Sequence, residues 1–403
     1  MIKRSILFSV FLLIAILSAA CKGGSQGNIL PPATKPTQST PIKIGVIYNL
    51  TGGQASLDTP SYNGAKLAVR EVNAAGGVLG RQIELIFQDG KTDPAVIRDI
   101  ATQLIETEKV VAMMGFSDSD MTLAAAPIAA QAGVVFVTSG ATSPKLPDQV
   151  PGYLFLAAFG DNVQAAAGAE YAFNSLSYEN VYLLYDQGAE YTTLLNKYFK
   201  ERFGELGGTI ILEDSYQTGD KDFSAQIARM KSASIQPDFL YIAALPDDIG
   251  TIVKQFRESG IDKTIMGGDG YDTPLLLQIP GKGATNVYFT THSLMDEERG
   301  TEPVKKFISA YKAEYNKPPE NAFAALGYDT VKLIVDAIQR ARSADPKAIL
   351  AALSVTEDFP GVTGVLSYSF GSRVPQKGVS MILVKDQMLN LAAEIVPKDI
   401  PAP

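Results

Sequence analysis

Four short clusters hold the residues of this chain that could do chemistry. They read Phe116-Ser117-Asp118-Ser119-Asp120-Met121-Thr122, Ser139-Gly140-Ala141-Thr142-Ser143-Pro144, Asp186-Gln187-Gly188-Ala189-Glu190-Tyr191 and Gly268-Asp269-Gly270-Tyr271-Asp272. Each directly follows an apolar run. Small residues let a ligand approach the backbone. Hydroxyls beside helix N-terminal amides favour an anion, and a carboxylate such as Asp269 favours a cation. Together the clusters describe a site for a zwitterion. Structural readings stand beside this one. Ser119 also fits as the cap of a helix running toward Ala130, and Thr142 before Ser143-Pro144 as a turn residue. Asp269 between glycines fits a turn, and Tyr191 competes with Tyr185 and Tyr271 for a ligand role.

Catalytic readings lack their parts. The chain has no G-x-x-x-x-G-K-[ST] and no G-x-S-x-G, the signatures of phosphate-binding and nucleophile-elbow loops. Its single histidine, His292, and single cysteine, Cys21, cannot assemble a triad or a His- or Cys-based zinc site. No catalytic residue, metal or cofactor is therefore expected. His292 reads as a packed or hinge histidine. The pairs Asp118/Asp120 and Asp247/Asp248 read as solvated loop acids. Gly76-Gly77-Val78-Leu79-Gly80 follows a helix and precedes a strand, the reverse of a dinucleotide loop, so it reads as a connection.

The elements that must position these clusters alternate. Strands are expected at Ile42–Tyr48, Gln82–Gln88, Val110–Gly115, Val134–Thr138, Asn180–Tyr185, Thr209–Asp214, Asp238–Ala243, Thr264–Gly267 and Asn286–Thr291. Most lack polar alternation, as strands buried on both faces do. Between them lie helices. Asp93-Pro94 is a cap followed by proline at the first helical position. Ile97, Ile100, Ala101, Leu104 and Ile105 then form one apolar stripe. Tyr62 to Ala75 is a second helix, stopped at Gly76-Gly77. Further helices are expected at Phe223–Lys231, Gly250–Ser259, Val304–Tyr315 and Tyr328–Arg342. Such alternation argues for right-handed βαβ units in doubly wound sheets. Ligands of such sheets bind beyond the carboxyl ends of the strands, which is where the four clusters fall.

The N-terminus has a separate logic. Lys3 and Arg4 precede an apolar run, Ile6 to Leu17, and then Ser18-Ala19-Ala20-Cys21. That is a secretion signal, residues 1–20, with small residues before its cut. The run is shorter than the roughly 20 residues of a membrane span. A cut after Ala20 makes Cys21 the first residue, the position at which a bacterial lipoprotein carries its lipid; an ordinary secretory signal is the alternative. Residues 21–41 are rich in Gly, Ser, Thr, Gln and Pro, too polar to repay ordering. As a flexible coil they would separate their ends by about 25 Å.

The rest is long enough for two domains at roughly 100–200 residues each. Residues 1–41 hold four basic residues and no acid, so 31 of the 35 basic and all 43 acidic residues lie from Ile42 onward. A body with a net charge of −12 is a poor binder of nucleic acid, which needs clustered Lys and Arg.

In order along the chain, Ile42-Lys43-Ile44-Gly45-Val46, Leu50-Thr51-Gly52, Glu71-Val72-Asn73-Ala74-Ala75-Gly76-Gly77-Val78-Leu79-Gly80-Arg81, Asp93-Pro94, Ala126-Pro127-Ile128, Ser139 to Pro144, Lys221-Asp222-Phe223-Ser224 and Gly267-Gly268-Asp269-Gly270 form a pattern. It resembles the Leu/Ile/Val-binding protein family, the branched-chain amino-acid receptors of bacterial ABC importers, over nearly the whole body. The resemblance implies a type I periplasmic-binding fold: two Rossmann-like α/β lobes joined by crossovers near Phe159–Asp161, Thr291–Leu294 and Leu366–Phe370. One lobe would be 42–160 plus 293–366, the other 161–292 plus 367–397. It implies a monomer, outside the cytoplasm and tethered through Cys21, that captures a branched-chain or other aliphatic amino acid and presents it to ABC permease subunits. The alternative is an extracytoplasmic sensor of amides or small carboxylates acting through a partner receptor. By the family pattern, Ser119 and Thr142 hold the ligand carboxylate, helped by backbone near Ser117 and Ala141. Asp269 pairs the ammonium, and Tyr191 closes over the ligand from the second lobe. The side-chain pocket departs from the pattern. Leu57 and Leu245 stand where aromatics are usual, and Tyr271 is a further candidate there.

Overall fold

The computed structural model describes residues 40–368 and 371–403. Ten strands form the framework of both halves. β1 (Ile42–Tyr48), β2 (Ile83–Asp89), β3 (Ala112–Gly115), β4 (Val135–Thr138) and β5 (Leu154–Leu156) make an all-parallel sheet in the order β2-β1-β3-β4-β5. β6 (Asn180–Asp186), β7 (Thr209–Tyr216), β8 (Phe239–Ala243), β9 (Thr264–Gly267) and β10 (Val287–Thr291) belong to a second sheet. After a short hairpin of β11 (Phe359–Gly361) and β12 (Gly364–Leu366), β13 (Val379–Lys385) and β14 (Met388–Ile395) add an antiparallel edge to it. Its order is β14-β13-β10-β9-β8-β6-β7. The nine strands expected from sequence are present, two with the expected ends and the others with ends shifted by at most two residues.

Each sheet is covered on both faces, which is why its strands read as unbroken apolar runs. In the first, Ile44, Val46 and Tyr48 of β1 face a cluster with helices Ala55–Ala74, Phe323–Ala341 and Pro346–Leu353. Ile47, Met113 and Phe136 face the opposite layer, helices Pro94–Glu106 and Ser119–Gln131. In the second, Leu184, Leu240 and Ile242 meet helices Ser224–Lys231 and Pro246–Glu258. Leu183, Phe239 and Tyr241 meet helices Asp161–Glu170 and Glu190–Glu205. The chain passes from one sheet's layers to the other's after β5, after β10 and between β12 and β13. Ser369 and Phe370, within the third expected crossover, lie outside the described residues.

Local signals explain most boundaries. Asp93 caps its helix as expected, its carboxylate accepting from the amides of Ala95 (2.8 Å) and Val96 (3.3 Å). Three helices begin earlier than expected: at Pro246 instead of Gly250, at Phe323 instead of Tyr328, and at Ala55 instead of Tyr62, the last with Pro60 inside it. Pro60 has no N–H for the Ser56 carbonyl, and the side chain of Asn321 supplies the missing donor at 3.1 Å. That substitute comes from far along the chain, so sequence spacing could not show it. The same helix crosses Phe323–Ala341 at two glycines. A Cβ at Gly64 would lie 1.8 Å from the Ala324 carbonyl oxygen, and one at Gly327 would lie 1.9 Å from that of Ser61. Strands β13 and β14, missed from sequence, turn through Asp386 and Gln387 with φ of 52° and 60°. That is type I′ geometry without the usual glycine.

Candidate functional site

Both sheets reverse winding direction beside their first strands, β1/β3 and β6/β8. The loops beyond these strand ends face one another. On the first-lobe side, Asn49 ends β1 and ties down the start of helix Ala55–Ala74. The carboxylate of Asp58 accepts from the Asn49 amide at 2.8 Å and from its side chain at 3.0 Å. Beyond β3, Phe116 adopts φ 57°, a strained conformation for a bulky residue. It is held by complete burial and by stacking on Phe136. This bend turns the chain into Ser117 and Asp118. Beyond β4, Thr138 is a staple: its hydroxyl donates to the Phe116 carbonyl (3.2 Å) and accepts from the Ala141 amide (3.3 Å).

From the second lobe, the Tyr191 hydroxyl accepts from the Gly270 amide at 3.0 Å. Asp269 is 2 % exposed. One oxygen accepts from the Gln164 side chain at 2.9 Å, and the other lies 3.0 Å from His292 Nε2. Gln164 also takes the Asp269 amide (3.0 Å) and the Thr290 hydroxyl (2.8 Å) on its oxygen, which fixes its orientation. Gly268 is required by space: a Cβ there would lie 2.5 Å from the Tyr191 hydroxyl.

These groups line an interlobe cavity with only about 10 Å³ of free space, roughly one water molecule. Gln54, Leu57, Ser117, Asp118, Thr142 and Phe323 line it from one side, and Tyr191, Leu245, Pro246, Asp269 and Gly270 from the other. The lobes are shut around it. Ser143 Oγ donates to Glu190 Oε1 (2.8 Å), the Glu190 amide donates to Asp120 (3.2 Å), Thr273 meets Ser56 (3.0 Å), and the Ala322 amide donates to Asp272 (3.1 Å). A larger open groove, about 590 Å³, lies along helices Ala55–Ala74 and Phe323–Ala341, away from the strand ends.

Six residues expected at the site, Ser117, Thr142, Tyr191, Asp269, Leu57 and Leu245, line the cavity. Ser119 and Ala141 do not. The Ser119 hydroxyl accepts from the Ser143 amide at 3.3 Å, and the Ala141 amide is spent on Thr138. Three expectations are corrected. Asp118, not Ser119, caps the helix toward Ala130, accepting from the Met121 amide at 2.9 Å. Tyr271 is no pocket residue: it is buried in the second lobe's core and donates to the Ile242 carbonyl at 2.6 Å. Asp118 and Asp248 are not solvated loop acids but are 6 % and 2 % exposed. Gln54, Gln164, His292 and Phe323 were missed. Gln54, Gln164 and Phe323 carry no local signal, and His292 was read as a packed or hinge histidine, which it is, but not as a partner of Asp269.

The electrostatics are one-sided. Burial pushes the Asp58 carboxyl up to about 7. Burial, then repulsion from Asp120, does the same to Asp118, up to about 7. Asp161 is held well above the usual carboxylate range, by burial first and also by the Asp269 charge. His292 is held below its ordinary value by burial, with Asp269 acting against the shift. No Lys or Arg lines the cavity. An anion alone would meet repulsion there, whereas a cationic group would relieve it.

A family model described as periplasmic binding protein matches residues 41–379. A Leu/Ile/Val-binding protein homologue of Brucella melitensis is 30% identical over 329 residues, covering 81% of this chain and 87% of that protein. Among solved structures, the branched-chain amino-acid transporter substrate-binding protein LivJ of Streptococcus pneumoniae, in complex with isoleucine, is similar at 33% identity and TM-score 0.82. That match covers 89% of this chain and all of the other. The leucine-binding protein LivK of Thermotoga maritima is similar at 32% identity and TM-score 0.82, over 88% of this chain and 99% of that one.

Proposed function

The chain belongs to the periplasmic binding protein family, among its branched-chain amino-acid binding members, and from that premise we propose that it captures an aliphatic amino acid between its lobes and delivers it to an ABC importer. It is a solute-binding protein and not an enzyme. The observation that carries the reading is a buried Asp269, oriented by Gln164 and His292, on the wall of a closed cavity opposite the Thr142 loop. Asp269 takes the ligand ammonium, a charge-assisted bond of the strong kind. Thr142, with Ser117 beside it, takes the carboxylate, and Tyr191 closes over the head group. Ser119 and Ala141 shape the loop that presents Thr142, through the Ser143 amide and Thr138. Leu57 and Leu245 meet the side chain.

Binding works as a population shift. The cross-cleft bonds form only when the lobes close, and ligand contacts to both lobes favour that state. The domain division drawn from sequence, 42–160 plus 293–366 against 161–292 plus 367–397, is part of this proposal. So are a monomeric state and an extracytoplasmic body tethered through lipid at Cys21 to a membrane. Among the described residues, no helix is long and apolar enough to cross one.

The direct test is thermal stabilisation of the purified protein by a panel of amino acids, amides and short carboxylates. A ligand at a hundred times its Kd adds about 2.7 kcal/mol. A rise with one or a few aliphatic amino acids is expected. A rise only with amides or carboxylates would overturn the ammonium assignment and favour a sensor.

A further inference from the structure

Asp161 stands where the chain leaves the first sheet's layers, as the first residue of helix Asp161–Glu170. It is fully buried. It is not there for the helix end, because the amides of Val163 and Gln164 are taken by the Gly160 carbonyl at 2.9 and 3.1 Å. Its contacts lead instead to both halves of the head-group site. The Asp161 amide donates to the Thr142 carbonyl at 2.7 Å. Gln164 Nε2 donates to Asp161 Oδ1 at 3.1 Å and to Asp269 Oδ1 at 2.9 Å. Asp161 Oδ2 is buried without a bond of ordinary geometry, and the Thr142 side chain is the other hydrogen-bonding group beside the carboxyl. We propose that Asp161 is a positioning residue that works as a neutral carboxylic acid: its proton goes to Thr142 Oγ1, which keeps the Thr142 hydrogen free for the ligand carboxylate. This rests on the amino-acid reading above and deepens it.

Two counts lead there. The first is of charge. One Gln164 amide group serves two buried carboxylates, and only Asp269 has His292 as a further partner. The titratable groups that face Asp161 are Asp269, Glu190, Tyr191, Tyr198 and Tyr241, none of them a cation. His292, behind Asp269, is neutral through burial, and Lys377 acts on that histidine. Two carboxylates in one dry site without a cation do not both ionise. The proton settles on the one with fewer donors. Burial and the Asp269 charge accordingly hold Asp161 well above the usual carboxylate range. The second count is of hydrogens. A threonine hydroxyl has one to give and two lone pairs to offer. An ionised Asp161 would take that hydrogen and leave lone pairs facing the ligand carboxylate. A protonated Asp161 donates into Oγ1 and leaves the hydrogen for the ligand. The negative charge that then arrives beside Thr142 favours the neutral acid further.

The test is calorimetric titration of the purified protein with leucine, isoleucine, valine and threonine at pH 7, in two buffers of different ionisation heat, repeated on Asp161→Leu and Asp161→Asn. Asparagine reproduces a donor toward Thr142 and an acceptor toward Gln164, and leucine supplies neither. For the amino acid that the unaltered protein binds best, Asp161→Leu is expected to weaken binding by ~10-fold or more, the scale of one lost bond to a charged group. Asp161→Asn should restore affinity to within ~3-fold of the unaltered protein, and the unaltered protein should release no proton on binding. A larger loss in Asp161→Asn, or a released proton that disappears in that variant, means that Asp161 works ionised and overturns the inference while amino-acid capture stands. Undiminished binding by Asp161→Leu overturns it too. Binding of none of the four by the unaltered protein overturns amino-acid capture and this inference with it. If Asp161→Leu does not fold, Asp161→Asn and the proton count decide.

Discussion

His292 Nε2 lies 3.0 Å from Asp269 Oδ2, with both side chains buried. The imidazole stacks on Phe159 at 4.0 Å between ring centroids and meets the edge of Phe323 at 5.7 Å. Asp269 follows β9, Phe159 follows β5 and His292 follows β10. One histidine thus ties the Asp269 carboxylate to two of the segments that pass between the lobes. With its pKa held down by burial, His292 is neutral at pH 7 and donates from Nε2 to Asp269. Asp269 stays an oriented acceptor.

Protonating His292 should therefore destabilise the closed protein. A histidine whose folded pKa lies below its unfolded value of about 6.5 contributes full stability above that pH. The contribution is lost as pH falls from 6.5 toward the folded value. Lys377 adds to the depression, while Asp269 opposes it. Thermal unfolding of His292→Gln against pH should lack this acid-side loss. An unchanged pH profile would remove the role.

Buried acids give a slope of the opposite sign. Asp58 and Asp118 both titrate near 7 in the folded chain, above their unfolded values. The folded state then binds more protons, so stability falls as pH rises from about 4 to 7. In Asp58→Asn that decline should be shallower, with Tm at pH 8 higher than that of the unaltered protein. A lower Tm at pH 8 would show that the Asn49 contacts outweigh the cost of burying the charge.

Asp269→Ala should abolish amino-acid binding while the circular dichroism spectrum is kept. Removing one partner of a buried charged pair costs of order 3–5 kcal/mol. Calorimetry giving unchanged affinity would refute the ammonium assignment.

Ser143→Ala removes the hydroxyl that reaches across the cleft to Glu190. One such bond is worth about 0.5–1.5 kcal/mol. Ligand affinity should fall by roughly 2- to 12-fold, mainly through a faster off-rate in stopped-flow, although Ser143 does not line the cavity. No change in off-rate would mean that the contact does not hold the lobes closed.

Cys21→Ser should leave the protein soluble or unprocessed after cell fractionation. A processed, membrane-bound variant would refute the lipid tether.

Much of the fold was legible because its signals are local. The runs of β1 and β3, buried on both faces, and the Asp93-Pro94 cap need only neighbouring residues to be read. The helix start at Ala55 was not legible, because the donor that compensates for Pro60 is Asn321. Nor was the β13–β14 hairpin, whose turn is built without glycine.

The site divides the same way. The residue types that follow each strand, among them Ser117, Thr142, Tyr191 and Asp269, were fixed by sequence, because a parallel strand delivers its ligand groups at its carboxyl end. Which of them face the cavity was decided by tertiary structure. Tyr271 and Asp269 are two residues apart, yet one turns into the core and the other onto the cavity wall. The partners of Asp269 come from Gln164, 105 residues away, and from His292. Such contacts depend on how two lobes, each folded around its own sheet, bring distant loops together, and no spacing along the chain encodes that distance.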